Sequence, residues 1–150
     1  MASVPARPLG ATSLAVRRFS LAEGLAGTHV NHVVRDSRGF LWFATSDGLS
    51  RFDGASFRNY GTGDGLPASD VLHVLEDDEG TLWFATAGGL ALMRRDAPPG
   101  RPISRVGEER LVPILARGTG GIWAVDATAN ALRLFDRGGR ELRVLSLNVD

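Results

Sequence analysis

Asp36-Ser37-Arg38-Gly39-Phe40-Leu41-Trp42-Phe43-Ala44-Thr45-Ser46-Asp47-Gly48-Leu49 returns 41 residues later as Asp77-Asp78-Glu79-Gly80-Thr81-Leu82-Trp83-Phe84-Ala85-Thr86-Ala87-Gly88-Gly89-Leu90. Sliding residues 19–59 onto 60–100 needs no gap, and fourteen of the 41 positions are identical. Upstream of the quoted stretch, Gly24-Leu25 meets Gly65-Leu66, Val30 meets Val71, and His32-Val33 meets His73-Val74. The identities cluster, as they do when one supersecondary unit is repeated and each unit buries its apolar face on the next.

Each copy is written in short strands. Val30–Arg35 is rich in β-branched residues and stops at Asp36-Ser37-Arg38-Gly39, where Asp can bond the backbone two residues on and Gly can take a positive φ. Phe40–Thr45 is apolar on both alternating faces, with Leu41 and Phe43 on one and Trp42 and Ala44 on the other, so it is expected to be covered on both sides. Gly48 turns the chain back, Asp53-Gly54 turns it again, and a fourth strand ends at Tyr60. Glycines at every turn leave no run long enough for a helical repeat. Four short strands per 41 residues, all-β, is the blade of a β-propeller.

A third, decayed copy follows. Leu111, Ile114, Gly120 and Trp123 lie 40 residues beyond Val71, Val74, Gly80 and Trp83, and Leu134-Phe135-Asp136 repeats Arg51-Phe52-Asp53. The three tryptophans are one position seen three times. The expected organisation is an N-terminal extension over 1–16, blades over about 19–59, 60–100 and 101–142, and the start of a further blade over 143–150. Arg17-Arg18-Phe19 read as the outer strand of a preceding blade. Propellers close with roughly four to eight blades, so about three is an incomplete ring that needs remaining blades or self-association. Two copies would supply about six to seven blades. An isolated stack is expected to expose apolar side chains such as Trp42, Leu41 and Phe43, or Trp123 and Ile122, on its end faces.

Composition narrows the function. The 150 residues are 43% hydrophobic and 7% aromatic, with 19 glycines. Seventeen basic residues balance seventeen acidic ones, which gives no long-range field for nucleic acid or an anionic membrane. Every basic residue is Arg, read here as scattered surface positions with no shared ligand. There is no Cys, so disulfides, thiolate metal sites and a cysteine nucleophile are excluded. No apolar run approaches a spanning helix, and no signal peptide is visible in residues 1–18.

The chemistry-bearing residues are explained by the repeat. His32 and His73 occupy equivalent strand positions, but a metal needs a third ligand and Pro113 holds the corresponding place in the third copy. His29 lies in the crossover between blades. Asp36, Asp77 with Asp78, and Asp126 recur at turns, which does not make an acid–base pair across a cleft. No nucleophile elbow, phosphate loop or dinucleotide fingerprint is present, and Gly118–Gly121 reads as a hairpin turn. No catalytic residue, metal ligand or cofactor is assigned, and the ligand-binding residues remain unassigned.

Gly24, Leu25, Val30, Asp36, Gly39, Trp42, Thr45 and Gly48, with Gly65, Leu66, Val71, Asp77, Gly80, Trp83, Thr86 and Gly89, and with Trp123 in the third copy, form a motif that resembles the two-component regulator propeller repeat. The resemblance covers Arg17 to about Met93 and is loose beyond. It implies a fragment of a bacterial ligand-sensing propeller, periplasmic or otherwise extracytoplasmic, non-catalytic itself, whose parent carries a histidine kinase or diguanylate cyclase output. The implied ligand is an unidentified small molecule or glycan. Two alternatives stand beside it. Gly121-Ile122-Trp123-Ala124-Val125-Asp126 with Asn130 and Leu132–Asp136 resembles a blade of the streptogramin lyases, enzymes that use Mg²⁺ and a catalytic His. The other alternative is a generic protein-interaction propeller.

The lone histidine pair gives a first expected outcome. Calorimetric titration with Zn²⁺, Mg²⁺ and Ca²⁺ should reveal no site of micromolar affinity. A tight Zn²⁺ site that disappears in both His32→Ala and His73→Ala would overturn this reading.

Overall fold

The computed structural model describes residues 17–107, 112–118, 121–126 and 128–147, with 112–118 described by its backbone. The extension over 1–16, Leu111, Gly120 and residues 148–150 lie outside the described residues. Among the described residues, twelve strands form three four-stranded sheets. The first holds β1 (Val30–Arg35), β2 (Leu41–Thr45), β3 (Gly48–Phe52) and β4 (Phe57–Tyr60). The second holds β5 (Val71–Glu76), β6 (Leu82–Thr86), β7 (Gly89–Met93) and β8 (Ser104–Val106). The third holds β9 (Val112–Gly118), β10 (Gly121–Asp126), β11 (Ala131–Phe135) and β12 (Glu141–Ser146). Each sheet is an antiparallel meander in chain order. β1 lies beside β5, and β5 beside β9, so the blades stand next to one another with their first strands innermost. These are three blades of a β-propeller.

The pleat decides what each blade buries. Trp42, Ala44, Leu49 and Tyr60 pack with Val74, Leu82, Phe84, Ala91 and Met93 to form the core between the first and second blades. Trp83, Ala85, Leu90 and Leu92 pack with Ile122, Ala124 and Phe135 between the second and third. Each Trp therefore faces the next blade, and the Leu-x-Phe pair beside it faces the previous one. Tyr60, at the end of the outer strand, stacks on Trp42 with ring centroids 5.7 Å apart and is itself buried. Gly65 closes the short 3-10 turn Thr62–Asp64 at φ 110°, where a Cβ would lie 2.1 Å from the Ile103 carbonyl oxygen. Only glycine supplies both the left-handed backbone and that close approach.

Several boundaries differ from the sequence reading. Residues 143–146 do not open a further blade; they belong to β12, which pairs with β11 as the outer strand of the third sheet. The second blade runs on to Val106. In the first blade Arg51 and Arg58 stand opposite each other seven residues apart, whereas their counterparts Leu92 and Ser104 are twelve apart. The connection between β7 and β8 has thus gained five residues, with Pro98, Pro99 and Pro102 among them. The third copy loses its residue in the first turn. Arg117 faces Ile122 as Glu76 faces Leu82, so the inner strand keeps the 41-residue interval and Leu115, not Ile114, corresponds to Val74. Residues 17–19 form no strand.

The end faces are also not as expected. Trp42 is fully buried and Ile122 is 1% exposed, because both face neighbouring blades. On the open side of the first blade Phe43 is only 9% exposed, since Phe19 packs 6.1 Å from it and 4.9 Å from Phe52. Phe19 here takes the place that Tyr60 takes one blade later. The last face keeps Trp123, Val125, Leu132 and Leu134 half-buried, and Leu145 of β12 is exposed.

Trp42→Ala should lose about 3–5 kcal/mol of unfolding free energy, the usual cost of emptying a fully buried Trp site. Val33→Thr on the open face should change it by less than about 0.5 kcal/mol. Denaturant titration of both variants checks the direction in which the faces point. Equal losses would mean that Trp42 is not the inter-blade filler.

Candidate functional site

The conserved-looking polar residues of the two good repeats are tied into their own backbone. Asp36 Oδ1 accepts from the amides of Arg38 (3.0 Å) and Phe40 (2.9 Å), and its Oδ2 accepts from the Trp42 indole (2.9 Å). Asp77 repeats the pattern with Glu79 (2.9 Å), Thr81 (2.9 Å) and the Trp83 indole (3.0 Å). Both carboxylates are buried and every such donor satisfies acceptor capacity that would otherwise be costly. Thr45 and Thr86 donate to the carbonyls of Gly48 (2.7 Å) and Gly89 (2.8 Å), closing the β2–β3 and β6–β7 hairpins. Gly24 and Gly65 end 3-10 turns, and Gly39 and Gly80 take positive φ in the Asp turns.

Asp126 is a correction. It does not stand where Asp36 and Asp77 do, because it faces Ala131 as Thr86 faces Gly89. It closes the same hairpin as a substitute for Thr, accepting from the Ala129 amide at 2.9 Å and from Arg133 at 2.8 Å. Those two donors hold its carboxyl below the usual range.

Side chains also cross between blades. Asn31 Nδ2 donates to the Val71 carbonyl (2.8 Å) and to Asp70 (3.2 Å). At the other end of β5, Glu76 accepts from the Ser37 amide (2.6 Å) and hydroxyl (2.7 Å), and Arg95 donates to the same hydroxyl (2.9 Å). The histidines do meet: His32 and His73 stack with ring centroids 3.9 Å apart. The Val74 amide donates to His32 Nδ1 at 3.4 Å, while His73 Nδ1 is buried without a hydrogen-bond partner. Burial, and then the neighbouring His32, depress the His73 pKa. In the third blade Val125, the counterpart of Ala85, pairs with Val112 across a shift of register. No three His, Cys, Asp or Glu side chains gather as a metal-holding group among the described residues.

The arginines depart from the sequence reading. Five of them, Arg38, Arg51, Arg58, Arg94 and Arg95, line one cleft of about 180 Å³ between the first blade and the lengthened β7–β8 connection. The signal was present in the repeat: Arg51 occupies the place of Leu92 and Leu134, and it faces Arg58 across the hairpin. A wider cleft of about 450 Å³ lies on the far side of that connection, against Gly138 and Gly139 of the third blade.

A family model described as two component regulator propeller matches residues 24–47, within the first blade, and 65–88, within the second. No curated protein matches the chain. Among solved structures, the extracellular domain of the hybrid two component system BT3049 from B. thetaiotaomicron is similar at 20% identity and a TM-score of 0.67. The similarity covers 88% of this chain and 20% of that one. The extracellular domain of the one component system BT4673 from B. thetaiotaomicron follows at 22% identity, a TM-score of 0.59, and 73% and 17% coverage. Virginiamycin B lyase from Staphylococcus aureus is similar at 16% identity and a TM-score of 0.65, over 82% of this chain and 43% of the enzyme. The chain thus spans between 17% and 43% of the length of these proteins.

Stability should depend on His73. With its folded pKa depressed, the unfolded chain binds the proton more readily, so stability is full above the ordinary pKa near 6.5 and falls as pH drops below it. The melting midpoint should therefore decline from pH 7.5 to pH 5.5, and His73→Asn should flatten that decline. An unchanged slope in the variant would show that the histidine stack carries none of it.

Proposed function

We propose that this chain, whose first two blades each contain a match to the two component regulator propeller model, is a non-catalytic part of the ligand-sensing propeller of a bacterial signalling protein that works outside the cytoplasm. The observation that carries the proposal is the double family match, on Asp, Trp and Thr residues whose polar groups are occupied within their own blade. Such a motif makes a rigid frame and leaves recognition to side chains that differ between repeats. The likeness to extracellular domains of a hybrid and a one component system supports the location. No helix among the described residues is long and apolar enough to cross a membrane, so in this reading the anchor and the output belong to other parts of the parent protein.

A sensor of this kind signals only if ligand binds two states of the receptor unequally. Contacts that span adjacent blades, such as Asn31 to Val71 and Ser37 to Glu76, are where a ligand could change the relation between blades. The likeness to virginiamycin B lyase is one of fold at 16% identity, and it brings no residue of a reaction to this chain.

The test uses the parent gene and its product. The open reading frame is expected to continue into a membrane-spanning helix and a histidine kinase or cyclase domain. In a reporter strain, replacing residues 24–106 with the corresponding blades of a related receptor should abolish the response to the inducing ligand while basal output persists. A frame that closes the propeller and stops, with the purified product cleaving a streptogramin, would replace this reading with the enzymatic one.

A further inference from the structure

Arg51 is out of place. It lies on the face of the first blade that carries Trp42, Leu49 and Tyr60 into the inter-blade core, and its counterparts in the other blades are Leu92 and Leu134. Leucine fills that position without an electrostatic cost, so the repeat does not require a guanidinium. Directly across the hairpin stands Arg58, and like charges opposite each other in an antiparallel pair are destabilising. Arg94 and Arg95, which open the lengthened connection directly after β7, line the same cleft, as does Arg38.

These charges are weakly compensated. The Arg51 Nε is buried and has no hydrogen-bond partner, a state that costs free energy unless something accepts from it. Its guanidinium lies 4.5 Å from the Phe40 ring centroid, and that of Arg58 lies 5.1 Å from Tyr60, so aromatic faces hold both in position. Asp36 and Glu76 stand close to the cleft, and Glu79 and Asp96 line the adjoining one, which shares Arg94 and Arg95. Asp36 already accepts from two amides and an indole, with Arg38 at 3.8 Å, and Glu76 accepts twice from Ser37. Five arginines and no carboxylate line the opening, in a chain whose formal net charge is zero.

We propose that this cleft is a binding site for a compact tetrahedral oxyanion, the phosphate or sulfate group of a small ligand. Guanidinium groups donate to the oxygens of such a group in pairs, and about 180 Å³ accommodates one group with the first atoms of its carrier. A bound anion would offset the Arg51–Arg58 repulsion. This names a ligand class for the sensor proposed above. Its test reads binding alone, so loss of the signalling response with binding intact would remove the sensor and keep the site.

The 150-residue chain would be titrated calorimetrically and melted with sodium phosphate, sodium sulfate or sodium acetate, against chloride at equal ionic strength. Saturable binding of phosphate and sulfate is expected, with a raised melting midpoint and no saturable acetate binding. Arg51→Leu should abolish binding and, without anion, raise the midpoint, because it restores the residue of the other two blades. Arg94→Ser, in the connection outside the sheets, should weaken binding about tenfold, the loss of one charge-assisted contact, and leave the anion-free midpoint unchanged. Absence of saturable phosphate or sulfate binding would overturn the site, as would affinities unaltered in both variants. Equal acetate binding would overturn the tetrahedral assignment. Phosphate binding distinguishes the two tetrahedral sources from each other by its rise between pH 6 and pH 8, which sulfate lacks.

Discussion

A buried carboxylate joined to a buried indole sets the geometry of this fold. Asp36 and Asp77 each take two amides of their own turn and the ring N–H of the Trp six residues on. That arrangement fixes the turn before the second strand and the rotation of the Trp ring within it. The ring then presents its whole area to the next blade, where Leu82, Phe84 and Met93 meet Trp42. A Trp carries a large apolar surface and one polar atom that must be satisfied when buried. The Asp supplies the partner from within the same blade, so the neighbouring blade is free to offer only apolar groups. Local hydrogen bonding and inter-blade packing are thereby one constraint.

The third blade shows the same constraint relaxed. Its first turn is one residue shorter, and the position of the Asp is taken by Gly118. Trp123 is half-buried on the open face, where Trp42 and Trp83 are fully covered. The blade keeps its pairing because β-ladders need only backbone groups, and at the second hairpin Asp126 stands in the place of Thr86, accepting from the Ala129 amide where Thr86 donates to a carbonyl. Sheet architecture tolerates such drift, since turns can change chemistry while register stays anchored by the apolar alternation.

How much could be read beforehand follows from which interactions repeat. The strands, the Asp and Gly turns and the Trp faces recur at a fixed interval, and recurrence made them legible: Trp42 and Trp83 were placed mid-strand between covered faces from the sequence alone. The outer strand of the second blade was misplaced because an insertion leaves no periodic trace, and the alignment ran through it with no identity to correct it. The inner strand of the third blade was shifted by one residue because the loss lies in the turn, where neither neighbour constrains it. Arg17-Arg18-Phe19 read as the outer strand of a preceding blade, and the 41-residue interval sets Phe19 opposite Tyr60. Phe19 forms no strand, yet its ring covers Phe43, Phe52 and Phe57 as that equivalence requires.

The arginine cleft was illegible for the opposite reason. Residues that build a frame recur, whereas a recognition site is made by breaking the repeat in one place, and a reading tuned to identities discards the exceptions. Arg51 replaces a leucine, Arg94 and Arg95 stand where the first blade has Asp53 and Gly54, and the three meet where the first blade leans its Trp42 face on the second. Arg51 also carries a cost that its leucine counterparts avoid, in a buried donor without an acceptor and a like charge opposite. A frame whose stability rests on Asp–Trp pairs and inter-blade area can absorb that cost at one position. In a repeat protein, positions that are stable everywhere except in one copy are therefore where recognition should be sought, and the cleft between the first two blades is such a position.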